Sequence, residues 1–339
     1  MKAAILTKPV PIEENPLHIG DYPDPVPGPD EVLLEVLACG VCRSNLHVVE
    51  GDWLSRGVPA KLPIVPGHEV VGRIVELGPG VKRYRKGDRV GVQPLWNSCG
   101  YCEYCLSARE ELCRQKHITG ETVDGGYAEL LVAKENHIYP IPPELSDVEA
   151  APLFCPGITA YHAVLRAEIG PGNKVAVFGI GGVGHMAVQF AKLCGAEVIA
   201  VSRNPDHLQL ARDLGAEEVV DAKTGDPGES LRSRWGGMDA CLVFAPSSAV
   251  ARQALRALKP GGTLVLGVFA DVGEISFFEE KKIVGTVIGP RSEMQEVLRL
   301  AAARKVKTVY DVFPLDQAQE ALRRLKEGSL LARAVLVTR

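Results

Sequence analysis

The stretch Lys174-Val175-Ala176-Val177-Phe178-Gly179-Ile180-Gly181-Gly182-Val183-Gly184 decides the fold of this chain. Its first five residues are apolar after Lys174 and short enough for a strand buried on both faces. Gly179, Gly181 and Gly184 then supply the spacing G-x-G-x-x-G, with Gly182 and Val183 inside it, and a helical run near 183–195 follows. Glycines at these positions permit a tight turn and let the backbone approach a pyrophosphate, which rests on the helix N-terminus. A lone motif of this kind is weak, but strand–turn–helix context makes it a dinucleotide-site signal.

Apolar strands and helices alternate downstream. Further strands are expected at Glu197–Ser202, Glu218–Asp221, Asp239–Ala245, Thr263–Val268 and Ile283–Ile288, with helical runs near 205–214 and 248–258. Six such strands predict a parallel, doubly wound sheet. Upstream the texture differs. Glu31–Ala38, Val70–Leu77, Arg89–Gln93 and Ala128–Val132 are short β-rich segments set among glycines and prolines, as in a small irregular β-barrel-like domain. Pro140-Ile141-Pro142-Pro143 reads as a stiff connector. Helices near 292–304 and 316–327 and a strand at Ala334–Thr338 are expected to return to the first domain. The expected class is α/β, with a catalytic domain of residues 1–154 and 289–339 and a dinucleotide-binding domain of residues 155–288.

The chain has 339 residues, a size that suits about two domains. Hydrophobic residues make up 46% and charged residues 24%, which excludes disordered and fibrous classes. A net charge of −4 argues against a nucleic-acid or anionic-membrane surface. The longest uncharged stretch, Val175 to Ala191, is 17 residues with four glycines and a histidine, a poor membrane span. The apolar run at the N-terminus is too short for a signal-peptide core. A cytoplasmic, reducing location is expected, and the nine cysteines then read as metal ligands or redox groups before disulfides.

Cys99, Cys102, Cys105 and Cys113 form C-x2-C-x2-C-x7-C. Four thiolates in one short loop suit a closed tetrahedral zinc site, which is structural because no position is left open. Iron–sulfur ligation is the chemical alternative, but the last gap is seven rather than three and no proline follows. Cys42, His68 and Cys155 are each weak signals alone. As a set, one imidazole and two thiolates leave a fourth position free, the arrangement of a catalytic zinc. By local spacing Cys39, three residues before Cys42, is an equal candidate.

Residues 67–81 read Gly-His-Glu-x2-Gly-x5-Gly-x2-Val, through Gly72, Gly78 and Val81. This resembles the signature of the zinc-dependent medium-chain alcohol dehydrogenases. The four-cysteine loop, Gly40-Val41-Cys42-Arg43-Ser44, Phe154-Cys155-Pro156-Gly157-Ile158-Thr159 and the glycine turn occur in that family's order, so the resemblance spans essentially the whole chain. It implies a Rossmann sheet beside a mainly β, GroES-like catalytic domain, with two zinc ions per chain. It selects Cys42 over Cys39, with His68 and Cys155, as catalytic ligands. Glu69 becomes a neighbour or exchanging fourth ligand. Ser44 would receive the alcohol's proton and His47 would pass it to solvent through the nicotinamide ribose. Trp53 would wall the pocket, Thr159 would lie near the nicotinamide, and Arg43 and Arg333 would reach the pyrophosphate. Trp96 and the loops near 110–120 and 269–275 are further pocket candidates. One departure stands out: the family usually has aspartate where this chain has Asn45. Asparagine is still expected to accept a hydrogen bond from the ligating histidine, with one negative charge fewer beside the metal.

Cofactor choice follows from the end of the second strand of the dinucleotide sheet. NAD selectivity needs a carboxylate there for the ribose 2′-hydroxyl, whereas Ser202-Arg203-Asn204 offers a hydroxyl and a cation. NADP(H) is therefore favoured over NAD(H). The expected function is interconversion of a small alcohol with its aldehyde or ketone in a cleft between the domains, by a homodimer or homotetramer whose Ile283–Ile288 strand is a candidate for pairing between copies. A polyol dehydrogenase, a zinc-free quinone or enoyl reductase and a non-catalytic zinc- and nucleotide-binding protein are the competing readings. The retained Cys155 argues against the first, the cysteine loop against the second, and the complete ligand set against the third.

Overall fold

The computed structural model describes residues 1–338. They form two compact units. One comprises Met1–Cys155, Pro290–Ala302 and the stretch from Thr308 onward; the other comprises Pro156–Gly289 and Ala303–Lys307. Relative to the expected division, Cys155 lies in the first unit, and Gly289 and 303–307 lie in the second.

The second unit is built on six parallel strands: β1 (Lys174–Phe178), β2 (Glu197–Ser202), β3 (Glu218–Asp221), β4 (Met238–Val243), β5 (Leu258–Leu266) and β6 (Lys282–Gly285). Their spatial order is β3-β2-β1-β4-β5-β6, the doubly wound Rossmann arrangement. β1 is central: Val175 pairs with Val198 of β2 on one side and with Ala240 of β4 on the other. Val175 to Phe178 are all buried, so the strand reads as a continuous apolar run without alternation. Helices Gly184–Leu193, Pro205–Asp213 and Ser248–Ala257 match the expected runs to within one or two residues at most ends. A further helix, Pro227–Trp235, was not expected. It is mostly polar, with Leu231 its only large aliphatic residue in the core. Its signals are terminal: the Asp226 side chain accepts from the Gly228 and Glu229 amides, Pro227 opens the first turn, and Gly236 closes it with φ of 75°.

The first unit is organised round an 11-residue strand, Glu31–Val41. It pairs antiparallel with Glu69–Leu77, with Leu130–Lys134 and with Arg333–Val337. Arg89–Val92 and Ile138–Pro140 extend the sheet on one side, and Tyr310–Pro314 extends it on the other, parallel to Arg333–Val337. Tyr310–Pro314 was not expected either. Its Asp311 and Val312 are exposed, which removes the hydrophobic pattern. Val32, Leu34, Val36, Val70, Ile74, Tyr127 and Leu131 meet in the core of this unit. The register sets Gly40 opposite Glu69 and Val41 opposite Ala334. Cys42, His68, Glu69 and Arg333 therefore converge at one end of three neighbouring strands. Among the described residues no helix is long and apolar enough to cross a membrane.

Candidate active site and metal centres

Two groups of metal-capable side chains assemble among the described residues, both in the first unit. In the first group, Cys42 ends the long strand and opens the helix Arg43–Glu50, His68 and Glu69 open the strand Glu69–Leu77, and Cys155 follows the short turn Ala151–Phe154. One donor atom from each of Cys42, His68, Glu69 and Cys155 lies within 4.8 Å of the others. The Cys42 and Cys155 sulfurs are 3.7 Å apart. Tetrahedral zinc with bonds of about 2.3 Å sets its sulfurs about 3.8 Å apart, so the donor set fits that ion. A hydrogen bond from Cys155 and the charge of Arg333 hold the Cys42 thiol well below its ordinary range, and the same shared proton pushes Cys155 up. Cys39 is outside this group. It faces the core beside Val70 and Tyr127, with its sulfur directed at the Gly40 carbonyl at 3.7 Å.

Glu69 is wholly buried. Its carboxylate is gripped by both arms of Arg333, with Nε donating to Oε2 at 3.1 Å and Nη2 donating to Oε1. Arg333 is itself buried, and its guanidinium meets Glu69 through Nε and Nη2. Burial still pushes the Glu69 carboxyl up to about 7, against the opposing pull of Arg333. Gly40 is what makes room, because a Cβ there would fall on the Glu69 carboxylate.

Ser44 and His47 lie three residues apart on Arg43–Glu50 and so share a helix face. Ser44 Oγ is 3.4 Å from His68 Nε2. His47 Nδ1 is 2.6 Å from the Asp52 carboxylate, and its ring lies 4.9 Å from that of Trp53. Asp52 and Tyr127, which donates to Asn45 at 3.2 Å, escaped the sequence reading; the spacing of Asp52 from His47 was its only signal. Arg43 donates to the Leu325 carbonyl at 3.1 Å. Trp96 is tied down by a hydrogen bond from its indole to the Val132 carbonyl at 2.9 Å. The helix carrying Ser44, Asn45 and His47 also went unread, because only eight residues form it and its polar face is functional rather than periodic.

The second group is Cys99, Cys102, Cys105 and Cys113. Sulfur separations of 3.8 Å (Cys99–Cys105) and 3.6 Å (Cys102–Cys105) again match the edge of a zinc tetrahedron. Backbone amides help to hold the charge. The Tyr101 amide leads in bringing the Cys99 thiol down to about 6, and the Cys99 amide donates to Cys113 at 3.5 Å.

The glycine turn lies in the second unit. Gly179 has φ of 92°, and a Cβ there would crowd the Ala245 amide. A Cβ at Gly184 would strike the Gly179 carbonyl, whereas one at Gly181 would enter open space. Gly179 and Gly184 thus serve packing, whereas Gly181 borders open space. Gly182 and Val183 complete the turn into Gly184–Leu193. Ser202 Oγ accepts from the Asn204 amide at 3.1 Å, and Arg203 is exposed. Thr159 is half-buried on the helix Pro156–Arg166.

Residues 28–143 match the alcohol dehydrogenase GroES-like domain family, and residues 182–303 match the zinc-binding dehydrogenase family. An alcohol dehydrogenase of Geobacillus stearothermophilus is 41% identical over 341 residues, covering 99% of this chain and 99% of that protein. The chain belongs to the medium-chain zinc alcohol dehydrogenases. Among solved structures, the alcohol dehydrogenase of the archaeon Aeropyrum pernix superposes with a TM-score of 0.92 at 34% identity, covering 99% of this chain and 100% of that one. A thermostable alcohol dehydrogenase of Pyrobaculum aerophilum, solved with cobalt and zinc bound, superposes with a TM-score of 0.88 at 30% identity over 99% of each chain. This medium-chain dehydrogenase is thus an oxidoreductase with a Rossmann unit and a GroES-like unit.

Proposed function

We propose that this enzyme interconverts an alcohol and its aldehyde or ketone with two zinc ions per chain, and that NADP(H) is its favoured dinucleotide. The observation that carries the metal reading is the pair of donor groups at zinc-like sulfur spacing, one of four thiols and one of two thiols, an imidazole and a carboxylate. The metal bound by the Pyrobaculum relative agrees with it. Cys42, His68 and Cys155 would hold the zinc, which would supply Lewis acidity toward an alcohol oxygen, and a bound nicotinamide would supply the hydride chemistry. The remaining chemistry belongs to the chain. Ser44 Oγ, beside the ligand group, receives the hydroxyl proton. His47, on the same helix face and oriented by Asp52, relays it to solvent. Glu69, neutralised by Arg333, tunes the field at the metal and remains a candidate fourth ligand. Cys99, Cys102, Cys105 and Cys113 hold the structural ion.

Gly179, Gly181, Gly182, Val183 and Gly184 would bind the pyrophosphate together with Arg43, and Thr159 would contact the nicotinamide. Ser202 and Arg203 would meet the 2′-phosphate, since the β2 terminus offers a free cation and no carboxylate. Metal analysis of the enzyme after loading with zinc tests the first claim, with two zincs per chain expected and fewer refuting it. Initial rates with each dinucleotide test the second, and a tenfold preference for NAD(H) overturns it. A panel of primary, secondary, aromatic and aliphatic alcohols would define the substrate. A cytoplasmic homodimer or homotetramer completes the proposal, supported by the free edge of β6 and by the exposed Phe277 and Phe278 near it. Light scattering giving a monomeric mass would refute the assembly.

A further inference from the structure

The one departure in the sequence lies against the catalytic histidine, and its geometry has a consequence for the metal. We propose that Asn45 makes the Cys42–His68–Cys155 centre an exchangeable metal site, because it turns a hydrogen-bond donor toward His68 where a metal-bound histidine needs an acceptor. This rests on the reading above that these three residues ligate zinc.

Asn45 is wholly buried. Its Oδ1 accepts two hydrogen bonds, from the Cys42 amide at 3.1 Å and from the Tyr127 hydroxyl at 3.2 Å. The first bond fixes the orientation of the side chain. A backbone N–H can only donate, so reversing the amide would set two donors against each other at Cys42. Nδ2 is therefore the atom that faces His68 Nδ1, at 3.3 Å. The other ring nitrogen, Nε2, faces Ser44 Oγ at 3.4 Å and Glu69 Oε1 at 4.0 Å, so it is turned to the ligand group.

A neutral imidazole that ligates through Nε2 carries its proton on Nδ1. In that form His68 and Asn45 present two donors to each other. The tautomer that suits Asn45 is the opposite one, with the proton on Nε2, where a metal would bind. Either the contact or the coordination is compromised. An aspartate at position 45 would remove the conflict, with one oxygen for Cys42 and Tyr127 and the other for His68. Outer partners of this kind are worth about 10–100-fold in metal affinity. No histidine contributes to the four-cysteine group, so the Asn45 contact bears on only one of the two sites. Asn45 is a positioning residue: it acts on the metal through His68.

The test is zinc release from the zinc-loaded enzyme into excess chromogenic chelator. Two phases of one zinc per chain are expected, the fast one absent in Cys155→Ala. Asn45→Asp should slow the fast phase about 10–100-fold and leave the slow phase unchanged. Asn45→Ala removes the donor without adding charge, and its fast phase should be no faster than that of the parent. Two zincs with an unchanged fast phase in Asn45→Asp, or faster release in Asn45→Ala, overturns the proposal and leaves the zinc reading intact. A single zinc per chain in both the parent and Asn45→Asp overturns the zinc reading as well.

Discussion

Replacing Arg333 with leucine isolates the cost of one buried carboxylate. Glu69 is 0% exposed and Arg333 is 3% exposed, and two hydrogen bonds join them. The Glu69 carboxyl is raised from 4.5 to about 7 by burial even with the guanidinium in place. That rise is the burial cost that remains with Arg333 in place, so removing the guanidinium adds to it. Breaking a buried pair by removing one partner costs about 3–5 kcal/mol. Arg333→Leu should therefore lose about 3 kcal/mol of unfolding free energy near pH 9, read by urea titration of the zinc-loaded protein. The loss depends on pH in a definite sense. A carboxyl raised in the folded state contributes stability that is complete below its unfolded value and declines as pH rises through the folded value. Without Arg333 the folded value moves higher still, so the variant keeps losing stability at pH values where the parent has levelled off. The deficit should shrink as the solution is taken from about pH 9 to about pH 6, and Glu69→Gln in the same background should recover most of it. A deficit below about 1 kcal/mol that is independent of pH, or no recovery, would refute the account of Glu69 as a compensated buried charge.

Gly40→Ala should displace the Glu69 carboxylate; the expected cost is about 1–3 kcal/mol with loss of turnover while the four-cysteine zinc stays bound, and unchanged kinetics would show that Gly40 is not needed for space. Cys155→Ala should melt near the parent temperature and lose activity, whereas Cys102→Ala should lose stability first; the reverse pattern in melts and turnover would exchange the two site assignments. Burial, aided by Arg291, lowers His137 to about 3, so its contribution is complete above about pH 6.5 and is lost as pH falls through about 3. His137→Gln should flatten acid destabilisation by up to about 1.4 kcal/mol per pH unit over that window, and parallel curves would count against this. Arg203→Ala should raise the KM for NADPH about tenfold with little change for NADH; equal effects on both would remove Arg203 from the 2′-phosphate site.

The second unit was the more legible because burial on both faces writes its strands as apolar runs and a glycine turn punctuates them. Its missed helix, Pro227–Trp235, packs through few apolar side chains, so its signal lay in its caps. In the first unit the strands could be read and the register could not. Register decides the choice between Cys39 and Cys42: Cys39 pairs with Val70 and points into the core, while Cys42 lies just beyond the strand, beside His68 and Glu69. Two expectations about partners depended on three-dimensional accounting. Arg333 was read as a cation for an anionic ligand, and the anion it meets in the structure is Glu69. Asn45 was read as an acceptor for His68, but its oxygen is already taken by Cys42 and Tyr127.

Glu69 and Arg333 are 264 residues apart in the chain, and the entire dinucleotide-binding sheet is made between them. During synthesis the carboxylate and the Cys42, His68 and Cys155 side chains grouped with it exist long before the guanidinium that pairs with Glu69. The strand Arg333–Val337 must also lie against Glu31–Val41 before that sheet is complete. The last part of the centre to be made is thus the strand that carries Arg333, and a chain part-way through translation lacks both that strand and the cation of the pair. Nascent chains arrested before residue 333 should be protease-sensitive across the first 150 residues, and early protection there would show that the sheet closes without its last strand.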